Sequence, residues 1–476
     1  MAQQSRAGTD HQRKLTRGNR TPADGVGGSA CQRRKKGVAS AGLPVPATPR
    51  VTDLGPARGQ HFSLTVVTLF VQLVMGASIS LRAVVRTLAV VQTQLGLALE
   101  LPDWTTGRGW LLRVGYYKLS RPKERADDWV WLIDHSCQIG SEKCLVVLGI
   151  RLSALPPPGE CLCLENLEPL EILPVASSTQ AAVADQLTAV ATKTGIPRAI
   201  LRDAGSDLRG GVQLFQAQHP DVADIYDIKH KTACLLRHRL EADACWGAFQ
   251  RQLGTTKCQV QQTELAFLAP PSQRPKARYM NLAELVRWGV QTLALVDGQP
   301  TTVLDHVTPE RLEEKLGWLR AYRPALAEWS QLITVANVAE DFVRRQGLYA
   351  GAGDDLATRR PAELTSITAG EMWADLLDHV EQQAAQARPG ERLPGSTEAL
   401  ESCFGRLKQL EKDQNRSGFT GLLLGIGALV SQTTTEVVKQ ALEKCPIKVV
   451  WGWCKQRIGE TVQAKRRLAY AGQPAQ

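Results

Sequence analysis

The sequence lacks the marks of several large function classes. No two of its eleven cysteines stand at C-x-x-C spacing, which speaks against zinc fingers and ribbons. No G-x-x-x-x-G-K-[S/T] run occurs, so the phosphate cradle of P-loop enzymes is missing, and no G-x-S-x-G elbow points to an α/β-hydrolase. Long uninterrupted apolar runs are absent too. Phe62 to Ile79 contains Ser63, Thr65, Thr68, Gln72, Gly76 and Ser78 and is followed by Arg82, while Leu422 to Val430 is too short to span a bilayer. Both read as buried helices. The N-terminus has no apolar segment of the secretory kind, so export is not expected, and the cysteines read as reduced, mostly buried thiols of a cytosolic protein.

What is present is ordinary globular material, 43% hydrophobic and 22% charged over 476 residues, enough for about two to four domains. The net charge is +10, and its placement is uneven. Residues 1–60 hold eleven Lys and Arg against three Asp. With Pro44, Pro46, Pro49 and Pro56 they read as a disordered basic arm, suited to polyanions or simply solvated.

Residues 61–120 read as helical. Ser80 caps a helix through Leu81, Val84, Val85, Leu88 and Val91, Gly96 ends it, and Pro102-Asp103 opens another from Trp104 to Tyr117. The pair is a candidate helix-turn-helix, equally compatible with a purely structural helical region. Its second helix carries Thr105, Thr106, Arg108, Arg113 and Lys118, residue types that bond phosphates and base edges when a helix N-terminus enters a major groove.

From about 125 to 230 the pattern alternates. Trp129-Val-Trp-Leu-Ile133 is an apolar strand running into Asp134. Cys144 to Ile150 is a second strand, and Cys161 to Leu164 with Ile172 to Val175 a third, irregular one. A helix follows (Ser178 to Thr194), then a short strand Ala199 to Leu201 ending near Asp203, a helix (Leu208 to Ala217) and a strand Asp224 to Ile228. This is an α/β core with a mixed sheet. Residues 231–395 read as a mainly helical insertion, with single helices over Leu235–Leu253 and Pro309–Tyr322 among others, and a loop at Gly351–Asp355. Residues 396–470 are helical and end on Lys455, Arg457, Lys465, Arg466 and Arg467.

The chemistry this order suits is phosphodiester breaking and joining. Two divalent ions a few ångströms apart activate the attacking oxygen and stabilise the leaving one. Magnesium is held by oxygen ligands, so the expected ligands are Asp at strand ends and an acid on a helix. Asp134 and Asp203 fit the strand positions, with Asp227 a rival to Asp203; Asp227 and His230 also fit supporting or capping roles. The helical acid falls in the segment from Thr397 to Lys412, where Glu398 and Glu401 stand about one turn apart. Glu401 is followed after six residues by Lys408, and residues seven apart share a helix face.

In this order and in Glu401-Ser-Cys-Phe-Gly-Arg-Leu-Lys408, the chain resembles the DDE transposases of bacterial insertion sequences, in the branch with a large insertion before the last acid. Arg202-Asp-Ala-Gly-Ser-Asp207 loosely resembles the family's turn at the second Asp. Where the family places Tyr and Arg ahead of the Glu, this sequence has Pro394 and Thr397; Arg392 and Arg406 are the nearby candidates to substitute. The resemblance implies an RNase H-like core between a helix-turn-helix region and a helical C-terminus. It implies two Mg2+ (or Mn2+) ions on Asp134, Asp203 and Glu401, and Lys408 on a phosphate. The implied partners are element terminal inverted repeats and target DNA, bound by a homodimer on paired ends near a bacterial nucleoid. Two readings share the fold: a decayed, transposase-derived DNA-binding protein, and an RNase H-like nuclease without strand transfer.

Overall fold

The computed structural model describes residues 54–272, 279, 282–298, 307–412, 419–460 and 462–471. Most of the basic arm, residues 1–53, lies outside the described residues.

Three helices come first: α1 (Leu64–Gly76), α2 (Leu81–Leu95) and α3 (Trp104–Ser120). Each starts on a side chain that accepts a free backbone N–H, Ser63 from Val66, Ser80 from Ala83 and Asp103 from Thr105. Gly96 ends α2 in the left-handed region (φ 61°) as the sequence leads one to expect. α1 is apolar nearly all round and is buried over most of its surface, which is why it resembles a membrane span in sequence. No helix among the described residues is long and apolar enough to cross a membrane.

The sheet follows. β1 (Trp129–Ile139), β2 (Glu142–Arg151) and β3 (Glu168–Val175) form an antiparallel meander, and β4 (Ala199–Arg202) and β5 (Ala223–Tyr226) extend it in parallel, in the order β3-β2-β1-β4-β5. The expected third strand begins only at Glu168; Leu164–Asn166 is a 3-10 turn. Strand alternation sends Trp129, Trp131, Ile133 and Ile200 to one face, where α4 (Gln180–Thr194) and α5 (Ser206–Gln218) cover them with Val183, Leu187, Leu208, Val212 and Phe215. Val130, Leu132, Leu201 and Ile225 face the opposite way, into the large core shared with the helices. Each fully buried side chain of this kind contributes roughly 1.5–3 kcal/mol.

From β5 the chain enters a helical segment: α6 (Ile228–Ala242), α7 (Ala244–Val260), α8 (Leu282–Val296), α9 (Pro309–Leu316), α10 (Arg323–Gln346), α11 (Ala352–Ala357) and α12 (Ile367–Ala384). The single helix expected over Leu235–Leu253 is broken at Asp243. That residue leaves the helical region (φ −80°, ψ 113°), caps α7 through the Cys245 N–H and accepts the Trp329 indole N–H at 2.8 Å. Trp329 belongs to an aromatic cluster around Phe249 with Trp246, Trp318 and Tyr322. A tertiary partner sets the break, which helical periodicity alone does not reveal. The helix expected over Pro309–Tyr322 becomes 3-10 from Gly317, and the loop expected at Gly351–Asp355 runs into short α11.

The chain returns beside its point of departure. Leu348 and Leu393 form a β-bridge, and the Ile228 N–H donates to the Gly395 carbonyl at 3.1 Å. Then come α13 (Glu398–Lys412), α14 (Leu424–Leu429), α15 (Thr435–Lys444), α16 (Ile447–Arg457) and α17 (Val462–Tyr470). α14 presses on α3 backbone to backbone: a Cβ on Gly115 would fall 1.8 Å from the Leu424 carbonyl oxygen, and one on Gly427 2.6 Å from that of Gly115.

Candidate functional site

Asp134 is not the last residue of its strand, as the apolar run suggests. β1 continues to Ile139 against β2, with a bulge between His135 and Gln138. What ends at Asp134 is the other ladder. The parallel pairing with β4 stops at Ile133–Arg202, so Asp134 and Asp203 are the first residues past it on their two strands. Asp134 alternates with Leu132 and lies on the sheet face toward α13. Asp203 is fixed by a turn in which its Oδ1 accepts the Gly205 N–H at 2.8 Å. A Cβ on Gly205 would lie 3.0 Å from that oxygen, so the turn is crowded.

α13 lies across β1 and carries Glu401 on a half-buried position. Its inward positions Leu400, Cys403, Phe404 and Leu407 are in the core, which sets the helix's rotation. The three sequence-selected acids meet electrostatically at Asp134. Burial first, then the Asp203 charge, push its carboxyl up to about 8; the His135 N–H, donated at 2.6 Å, opposes this, and Glu401 and Asp227 add to it. No cation is among the leading influences on Asp134.

Asp227 is not a strand residue. It follows β5 and caps α6, fully buried. Its Oδ2 accepts the His230 N–H at 2.9 Å, and its Oδ1 accepts the Thr397 N–H, just ahead of α13, at 2.7 Å. Burial raises its carboxyl to about 6 and the Glu401 charge adds to that, while His230 and the two N–H donors oppose. One side chain thus ties the start of α6 to the start of the helix bearing Glu401. Asp227, His230 and Glu401 also present one ligand atom each within 4.8 Å of one another.

Glu398, the rival to Glu401, is paired with Arg344 at 2.9 Å. Lys408 is exposed on α13, two turns or about 10 Å beyond Glu401. Arg392 donates to the Pro156 carbonyl. Thr397, at the position of the family's Arg, is buried.

Sequence reading missed Lys229 and Glu340. Lys229 bonds Glu401 Oε2 at 2.6 Å, and His230 Nε2 lies 3.7 Å from Glu401 Oε1. Glu340, on α10, accepts from the Thr232 hydroxyl, and burial raises it to about 7 despite that bond and Lys229. Asp227 as an N-cap is the signal that would have placed Lys229 and His230 in the first turn of a helix aimed at the site.

The expected DNA contacts divide. Thr105 and Thr106 lie in the first turn of α3, and Thr105 is exposed with its hydroxyl on Asp103. Arg108 lies over the Trp451 ring at 5.8 Å. Arg113 and Lys118 are corrections, because both are buried. Arg113 is 8% exposed and donates to the Cys445 and Leu442 carbonyls and to Gln60. Lys118 is 0% exposed; its ammonium reaches the carbonyls of Ala428 (3.3 Å), Val430 (2.7 Å) and Ser431 (3.0 Å) and the Thr433 hydroxyl (2.7 Å). Burial pushes it down to about 7, with Arg121 adding to this and Glu168 opposing. These two cations hold α3 to the C-terminal helices and are not presented to a ligand.

A second polar group sits at the same sheet end. Lys143 bonds Asp207 at 2.6 Å, and His135 Nε2 lies 3.2 Å from Ser178 Oγ and 3.9 Å from Asp207. Both neighbours share one ring nitrogen, so this is no serine–histidine–acid relay, in which the two nitrogens have different partners.

No family model matches this chain, and no curated protein matches it. Among solved structures it is similar to the Drosophila P element transposase strand transfer complex, at 11% identity and a TM-score of 0.28, covering 84% of this chain and 82% of that one. That likeness is too distant to bear on function.

Proposed function

We propose that the chain is a DDE-type DNA transposase with an RNase H-like core, cutting element ends and joining them to target DNA at Asp134, Asp203 and Glu401. One observation carries this reading. Two strand-borne acids emerge side by side where a parallel ladder stops, and a third arrives on a helix across the same sheet face. A buried carboxyl pressed by two or three like charges is unfavourable unless a cation or a proton joins it. The donor set is carboxylate oxygen, the kind that Mg2+ or Mn2+ takes, so these residues fit such ions. Bound there, two ions would supply activation of the attacking oxygen and stabilisation of the leaving one.

The chain's own residues set the rest. Burial and the neighbouring acids raise Asp134, and a cation held by these carboxylates would relieve that crowding. Asp227 fixes α13 at Thr397, and so fixes Glu401. Lys408 contacts a phosphate beside the cut, and Thr105, Thr106 and Arg108 face the duplex that carries the terminal repeat. Lys455, Arg457, Arg466 and Arg467 on α16 and α17 hold backbone phosphates. The enzyme acts as a homodimer on paired ends.

The test uses the full chain, Mg2+ or Mn2+, and duplexes carrying the DNA that flanks the gene. Wild type is expected to nick at the element end and to join the freed 3′-OH to a second duplex. Asp134→Asn binds the same DNA and does neither. Equal inertness of the two proteins, with DNA binding intact, would sink the enzyme reading.

A further inference from the structure

We propose that Lys229 is a resident counter-cation of the acid cluster, which an incoming divalent ion displaces from Glu401 toward a second seat at Glu340. The inference rests on the metal-site reading above and concerns how that site is held while no ion is bound.

Lys229 stands in the first turn of α6, where Asp227 caps the helix and the Ile228 N–H is tied to Gly395. From there its ammonium donates to Glu401 Oε2 at 2.6 Å. His230 stands over the other oxygen at 3.7 Å. Both oxygens of the proposed ligand are therefore faced by nitrogen. An ion that binds Glu401 must separate the Lys229 pair, because an ammonium and a divalent cation on one carboxylate repel strongly at such distances.

The surroundings supply a place to go. Lys229 feels three acids, Glu401, Glu398 and Glu340. Glu398 is already paired with Arg344. Glu340 has no such ion pair among the described residues: it accepts from the Thr232 hydroxyl, and Thr232 in turn donates to the Lys229 carbonyl at 2.9 Å. Glu340, on α10, thus stands against α6 at Thr232, three residues along from Lys229. The Lys229 side chain is 27% exposed and has the length and solvent access to swing between the two acids. Glu340 is half-buried, and a cation seated beside it offsets the cost of taking its charge out of water.

The experiment measures Mn2+ binding to chelator-stripped full-length protein by the loss of the free-ion EPR signal, together with Tm in EDTA. Lys229→Met is expected to bind Mn2+ about tenfold more tightly, a difference of about 1.4 kcal/mol, and to melt lower than wild type in EDTA. Lys229→Arg holds Glu401 by two parallel bonds and is expected to bind Mn2+ more weakly. Glu340→Gln, which removes the second seat, is also expected to weaken binding several-fold. Unchanged or weaker Mn2+ binding by Lys229→Met overturns the inference, as does unchanged binding by Lys229→Arg if the Met variant does not fold. Asp203→Asn separates the two levels. If neither wild type nor the Lys229 variants show Mn2+ binding that Asp203→Asn abolishes, the metal-site reading itself fails.

Discussion

Two ionisable side chains taken largely out of solvent, Lys118 and Asp134, are handled in opposite ways. Lys118 lies between α3 and the C-terminal helices, and each of its protons finds an oxygen. Asp134 lies at the end of the parallel ladder; it accepts the next residue's N–H, and like charges press on it. A buried charge whose partners are complete is a fastener. One whose neighbours share its sign has a place left for something that is not protein.

The sharpest way to break this contrast is to neutralise the acids. Asp134→Asn and Asp203→Asn are each expected to lower DNA cleavage by at least about 10³-fold, some 4 kcal/mol in the barrier, with thermal unfolding and DNA affinity retained. A residual rate near wild type in either variant removes that residue from the site. Next comes the fastener. Lys118→Met leaves several carbonyls without a donor and is expected to cost about 3 kcal/mol of stability, read as a lowered urea midpoint. DNA affinity measured in the folded range stays unchanged; a lowered affinity would restore Lys118 as a contact.

The third test uses protons. Asp134 sits at about 8 in the fold against 3.8 ordinarily. Between those values the native state holds a proton that the unfolded chain has released. Stability without divalent ions therefore falls as pH rises from about 4 to about 8 and levels off beyond. Asp227, raised to about 6, acts with the same sign in the lower part of that window. Asp134→Asn is expected to flatten the slope, gaining on wild type on the order of 2 kcal/mol between pH 5 and pH 8 in EDTA. A wild-type urea midpoint independent of pH would contradict the crowding of acids. The smallest effect is on α3. Arg108→Ala is expected to weaken duplex binding several-fold and to flatten its salt dependence, whereas Arg113→Met lowers stability and leaves the salt dependence alone.

The contrast also marks what the sequence could disclose. The strand before Asp134 is visible because its apolar run is local. The partners of Lys118 are at positions 428–433, and no local pattern announces that a lysine on a helix will be swallowed by carbonyls so far along the chain. The candidate helix-turn-helix reading took α3's cations at face value for the same reason. Asp203 was legible through its glycine turn. Glu401 was legible only by its spacing to Lys408, since the pairing with Lys229 arises when α6 and α13 are brought together. Asp227 was read as a strand residue because it stands in the run Asp224-Ile-Tyr-Asp-Ile228; its local cap on the His230 N–H could have been read, whereas its hold on Thr397 appears only once the chain returns.

That cap has a consequence for how such a chain can change. The helical segment leaves the core at residues 227–230 and comes back at 395–397, and one carboxylate grips both ends. Its two ends therefore touch, and a loop whose ends are already joined costs little to lengthen or shorten. The excursion is built as an exchangeable cassette: its contents can be rewritten, grown or trimmed while α13 keeps its seat, provided Asp227 is there to close the clasp.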